Sequence, residues 1–252
     1  MDLQEFLYSV GEKAEALLAS CVEFVRNILR PTPAEKPPTF KVTRRFVKRD
    51  VTVHELLSLY LQITFMAYLL LNLIVIFLRL EWYWLPVIYI LYFLHLRRTI
   101  VRNWEFFVDP DPYRFFYYAL SLISFLSFMG YLLVREIIGS IQAYAAYLAG
   151  VIAAISLFRH YFKSKYGRDY TYGVVEEIKE NAVRVFVHDD IAANVKPGHY
   201  WLEPVSELEP GRVVKVLLEG KAFRSSLPKK IIEVYLTDQS SQSSTKPKEE
   251  TE

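Results

Sequence analysis

The stretch LSLYLQITFMAYLLLNLIVIFL, residues 57–78, runs for 22 residues without an Asp, Glu, Lys or Arg. At about 1.5 Å of rise per residue, such a helix covers the roughly 30 Å hydrocarbon core of a bilayer. Two further charge-free stretches, 115–134 and 137–158, reach 20 and 22 residues. A fourth, 82–96, has only 15 and must draw length from its flanks, where Arg97 and Arg98 can snorkel to the headgroups. The sequence therefore predicts an α-helical membrane bundle of four transmembrane helices. A re-entrant 82–96 is the competing reading, and it would split the basic flanks across the membrane.

Composition agrees. Hydrophobic residues make up 52% of the chain, with 18 Tyr, 17 Phe and 4 Trp, an aromatic load beyond that of an ordinary soluble domain. Trp82, Tyr83 and Trp84 stand together where the second span begins and read as an anchor at headgroup level. Basic residues lie before the first span (Lys41, Arg44, Arg45, Lys48, Arg49), after the second (Arg97, Arg98, Arg102) and after the fourth (Arg159, Lys163, Lys165, Arg168). Under the positive-inside rule this places the protein in the cell membrane, multi-pass, with both termini cytoplasmic. The charged N-terminal thirty residues do not read as a cleavable signal peptide.

The spans are as informative for what they lack. Ion pumps and proton-coupled carriers place charged side chains at membrane depth, and none occurs here. No HExxH, paired-Asp or Ser-Lys arrangement lies at that depth either, and Cys21, the single cysteine, rules out an intramolecular disulfide or multi-thiol metal site. No enzyme activity and no cofactor are expected. Gln62, Asn72 and His95 are the candidate polar positions for a pore or for helix packing; a pore would turn Gln62 or Asn72 to its axis. Ala146, Gly150 and Ala154 form a small-residue strip that suits close helix packing.

Outside the spans, residues 3–29 carry apolar side chains at steps of three and four and read as an amphipathic helix suited to docking on protein. Pro31, Pro33, Pro37 and Pro38 end it. After the fourth span the pattern becomes alternation, as in Val183, Val185, Val187 and in Val214, Val216, Leu218, which with three further segments predicts five short strands. A small C-terminal cytoplasmic β-barrel of SH3-like or OB-like type is the expected closure. Its candidate binding surface is Phe186, Tyr200, Trp201, Arg212, Lys215 and Arg224. The acidic first half of that domain disfavours nucleic acid, and His188, Asp189, Asp190, His199 and Glu203 show no metal-ligand spacing. The predicted organisation is an amphipathic helix over 1–30, a Pro-rich and basic linker over 31–50, the bundle over 51–160, the barrel over 161–237 and a disordered tail over 238–252.

The paired spans, the strand opening Tyr172-Gly173-Val174-Val175-Glu176, and the segment Gly211 to Arg224 followed by Leu227-Pro228 resemble an uncharacterised family of archaeal integral membrane proteins known only as a domain of unknown function. The resemblance implies a fold and no chemistry. The sequence favours a membrane-anchored interaction or scaffold protein that presents the barrel, with the lipid bilayer as one partner and a protein or second copy, met through barrel and N-terminal helix, as the other. An oligomeric channel or passive conduit, and an intramembrane enzyme, are the alternatives.

Overall fold

The computed structural model describes residues 12, 15, 20, 31–34, 37–38, 52–206, 208–220 and 225–235. Nearly all of the expected N-terminal helix, the basic run 41–49, Arg224 and the tail lie outside them.

Four long apolar helices form the bundle: α1 (Val53–Phe77), α2 (Trp84–Arg102), α3 (Pro110–Leu133) and α4 (Ile141–Tyr166). Local chemistry sets their ends. At the start of α1, the Glu55 N–H donates to Thr52 Oγ1 and the Thr52 N–H donates back to Glu55 Oε2, a reciprocal capping box. Pro110 opens α3, where its missing N–H costs nothing. The last turn of α3 widens into a π turn over Val134–Ile138, and Gly139 stops it at a φ of 61°, a left-handed conformation natural to glycine. Ser140 then caps α4 by accepting from the Ala143 N–H. The second helix gains its length at the Arg97 end, so 19 residues replace the charge-free 15.

Aromatic stacking joins the helices in sequence. Tyr68 and Tyr92 stack between α1 and α2 at 4.4 Å, and Tyr89 and Phe125 between α2 and α3 at 4.5 Å. Phe116 packs on Phe158 and Phe162 between α3 and α4. The strip Ala146, Gly150, Ala154 is exposed, and a Cβ added at Gly150 would meet nothing within 4 Å. It does not pack inside the protomer.

The sheet follows α4 after three residues. Its strands are β1 (Tyr170–Lys179), β2 (Ala182–Val187), β3 (Gly198–Leu202), β4 (Val213–Glu219) and β5 (Leu227–Tyr235), in the order β3-β2-β1-β4-β5. All neighbours are antiparallel. The alternating valines point to one face and make its core with Leu202, Leu218 and Ile231. Gly173 is required in β1, because a Cβ there would meet Val185 Cγ1 at 2.5 Å and the Phe186 carbonyl at 2.9 Å.

The predicted barrel is corrected here. Five strands form, but the sheet is open: β3 and β5 are its two edges, and no ladder joins them. The physical reason lies in what covers the core face. Ala193, Val195 and Leu208, from the connections on either side of β3, fill the space against the valines, so the apolar face is buried without a closing strand pair. The scaffold function and the protein contacts expected of a closed barrel fall with it.

Candidate functional site

The first turns of α1 and α3 and the last turns of α2 and α4 meet at one end of the bundle, where the sheet is attached. This mouth holds the densest group of buried polar side chains among the described residues: His54, Glu55, Ser58, Thr99, Asn103, Thr171 and Asp190 are all buried. The β2–β3 connection, residues 188–195, enters it.

Asp190 organises that loop. Its backbone pairs with Val195 in an isolated bridge, and its Oδ1 accepts from the Ala192 and Ala193 N–H groups at 3.1 Å each. Oδ2 accepts from Thr171 Oγ1 at 2.8 Å and from the Arg168 guanidinium at 2.9 Å. Arg168 also faces Asp109, the N-cap of α3, at 3.5 Å. Burial alone would lower the Arg168 pKa, but the Asp190 and Asp109 carboxylates outweigh it and hold the value above the ordinary one. One cation thus ties the end of α4 to the loop and to α3.

Asp189 makes the second set of contacts. Ser58 Oγ, one turn after His54 on α1, donates to its carboxylate. Its backbone carbonyl accepts from His54 Nε2 at 2.8 Å and from the Tyr113 hydroxyl of α3 at 3.1 Å. His54 Nδ1 accepts from the Val108 N–H at 3.4 Å, which assigns the ring as the neutral Nε2–H tautomer. Burial pushes the Asp189 carboxyl up, with the Ser58 hydrogen bond opposing. His188, beside it, is lowered to about 4, first by burial and then by the nearby His54. Ile191 follows and packs on the aromatic core made by Leu57, Leu61, Tyr92, Tyr113 and Tyr117. The three consecutive residues Asp189, Asp190 and Ile191 therefore offer an anchored carboxylate pair and an apolar plug.

The profile of a family described as "Predicted membrane protein (DUF2101)" matches residues 25–232. The chain belongs to this family. The description is not specific to archaea, so the resemblance narrows to the family alone. No curated protein and no solved structure matches the chain.

In this member of the family, the residues singled out from sequence are scattered. Gln62 is exposed and donates to Ser58 Oγ at 3.4 Å, whereas Asn72 is fully buried and donates to the Tyr68 carbonyl at 2.7 Å. They lie on different faces of α1. His95 meets the Tyr60 hydroxyl at 3.0 Å, linking α2 to α1. On the sheet, Phe186, Trp201 and Lys215 share the outer face, while Tyr200 turns to the core side and Arg212 pairs with Glu209 at the turn before β4. His199 is held by Glu176 at 2.7 Å on the outer face, four residues along the β2–β3 hairpin from the Asp190–Val195 bridge. Among the described residues no three His, Cys, Asp or Glu side chains gather as a metal site.

Sequence reading missed the mouth. His54, Glu55 and Ser58 precede or overlap a hydrophobic run and look like helix-start residues; Asp189-Asp190 looks like a solvated turn. The available signal was the pairing of an isolated His-x-x-x-Ser step at a span entrance with an Ile-Ala-Ala run directly after two aspartates, which is too apolar for a hairpin tip.

Proposed function

We propose that the protein is a non-catalytic membrane transducer, in which the aqueous sheet and the helical bundle act as one unit and a change imposed on either is passed to the other. The observation that supports this reading is the loop 188–195, which ties Asp189 to α1 and α3 and seats Ile191 in the bundle's aromatic core. A domain held out for passing partners needs only a loose tether. Here α4 enters β1 through Gly167, Arg168 and Asp169, and the Arg168 side chain is held by two carboxylates. Arg97, Arg98, Arg102, Lys163 and Lys165 ring the same end, which supports a cytoplasmic mouth and sheet.

Coupling is reciprocal by linkage, and that supplies the test. With the protein in lipid nanodiscs, Ser58→Ala, made in the bundle, raises hydrogen exchange in residues 188–195 and in β2 and β3. Asp189→Asn, made in the loop, raises exchange in the first turns of α1. If each substitution disturbs only its own side, the transducer reading is wrong. Orientation is tested separately: on a Cys21→Ser background, Asn181→Cys in the β1–β2 turn reacts with an impermeant maleimide only when the cytoplasmic face is opened.

A further inference from the structure

Deeper in the bundle, away from the mouth, three buried polar atoms lack a hydrogen bond of good geometry: the Tyr68 hydroxyl, whose polar neighbour is the Asn72 side chain, the Tyr92 hydroxyl and Asn72 Oδ1. Their residues are 1%, 8% and 0% exposed, so neither bulk water nor lipid headgroups reach them. Tyr68 and Asn72 stand one turn apart on α1, and Tyr92 faces them from α2, its ring stacked on that of Tyr68 with 14° between the planes. Asn72 Nδ2 is committed to the Tyr68 carbonyl at 2.7 Å. That bond fixes the amide and leaves its oxygen as a pure acceptor, while each phenol can donate or accept.

Orphaned hydrogen-bonding groups are costly in an apolar interior, and more so where the surroundings are hydrocarbon. Buried water in proteins typically makes about three hydrogen bonds to groups of this kind. We propose that the α1–α2 seam is a binding site for water, which donates to Asn72 Oδ1 and bridges the Tyr68 and Tyr92 hydroxyls. Phe65, whose ring lies 6.1 Å from that of Tyr68 and 6.3 Å from that of Tyr92, forms an apolar wall beside it. The site is a hydrated point inside spans that carry no charge, and its ligand is a small neutral hydrogen-bonding molecule, not an ion. Tyr68 and Tyr92 belong to the cluster on which Ile191 packs, but none of the site's three polar atoms takes part in the hydrogen bonds that anchor the loop 188–195.

Radiolytic labelling in 18O water tests this on the full chain in nanodiscs, since hydroxyl radicals made from a bound water mark the side chains around it. Tyr68 and Tyr92 are expected to take up 18O several-fold faster than Tyr113, a phenol of the same intrinsic reactivity that is 3% exposed and has its hydroxyl bonded to the Asp189 carbonyl. Asn72→Leu should abolish the excess at Tyr92, a residue on the other helix, and Asn72→Ser, which keeps an oxygen, should restore part of it. Helicity and melting of each variant are recorded beside the labelling. A Tyr92 that labels no faster than Tyr113, or equally fast with and without the Asn72 oxygen in folded protein, overturns the water site.

Discussion

α1 and α4 differ by one residue in length, 25 against 26, and both are apolar enough to cross a membrane, yet the protein uses them in opposite ways. α1 buries His54, Leu57, Ser58, Leu61, Tyr68, Asn72 and Val75 along one stripe, and that stripe meets α2, α3 and the sheet's loop. α4 buries Phe162 alone. Hydropathy reports the solvent that a helix tolerates; it does not report the neighbours that the helix keeps. In α1 the buried stripe is marked by polar and aromatic groups with fixed partners, and in α4 the small residues that would permit a close neighbour face outwards.

The largest expected effect lies at the loop that α1 receives and α4 leads to. Asp190→Ala removes the acceptor of Thr171, of Arg168 and of two backbone N–H groups, and leaves the largely buried guanidinium with Asp109 as its one remaining carboxylate. Breaking a buried pair in this way costs roughly 3–5 kcal/mol, readable as a fall in the denaturation midpoint followed by the fluorescence of Trp201 in protein whose other three tryptophans are replaced by Phe. An unchanged midpoint would show that the mouth contributes nothing to holding the sheet.

Next comes the direct contrast of the two helices. Leu61→Ala in α1, at a fully buried site, should cost about 2–5 kcal/mol through lost contacts and a cavity. Ile152→Ala in α4, at a position 56% exposed, should change stability by less than about 0.5 kcal/mol. Equal losses at both positions would mean that α4 has a partner surface in the membrane as demanding as the core of α1, and would overturn the contrast.

The four helices and the five strands were legible because each rests on a period within one continuous segment: charge-free runs for α1 to α4, and valine alternation for β2 and β4. Sheet closure was not legible, because whether β3 meets β5 depends on Ala193, Val195 and Leu208, loop residues with no periodic signal. The mouth was hidden for a related reason. His54 and Asp189 are 135 positions apart, and neither belongs to a motif; only the docking of one loop makes them neighbours. Asn72 was visible as a polar residue in a span, but its free oxygen followed only from the Tyr68 carbonyl that takes its nitrogen.

Acidity should act on the mouth and leave α4 alone. The His188 pKa is lowered in the fold from 6.5 to about 4, so its contribution to stability is complete above about 6.5 and is lost as pH falls through that window. With allowance for solvent screening of a partly exposed ring, the loss is on the order of 2 kcal/mol. Asp189 has the opposite sign: its raised pKa favours the folded state at pH values where the carboxyl is protonated, and that advantage disappears as pH rises through the folded value. His188→Gln should therefore flatten the decline in melting temperature between pH 6.5 and 4, and the flattening should be absent from Asp189→Asn. A slope unchanged by His188→Gln would move the acid response to another group.

The smallest effect tests how loosely α4 is attached. Ser140 caps its first turn by accepting from the Ala143 N–H at 3.3 Å, at the end of the bundle opposite the sheet, just after the left-handed Gly139. Replacing a serine cap by alanine costs about 1 kcal/mol. In a helix fixed by tertiary packing, that loss is spread through the fold and hard to see locally. In α4, whose first three turns bury no residue, it should stay where it is made and open the first turn. Ser140→Ala is then expected to speed amide exchange of residues 143–146 by roughly fivefold, with the amides of His54 to Ser58 unmoved. Faster exchange at those distant α1 positions would mean that α4 transmits its end to the mouth along its full length, and the division between a gripping helix and a loosely held one would have to be abandoned.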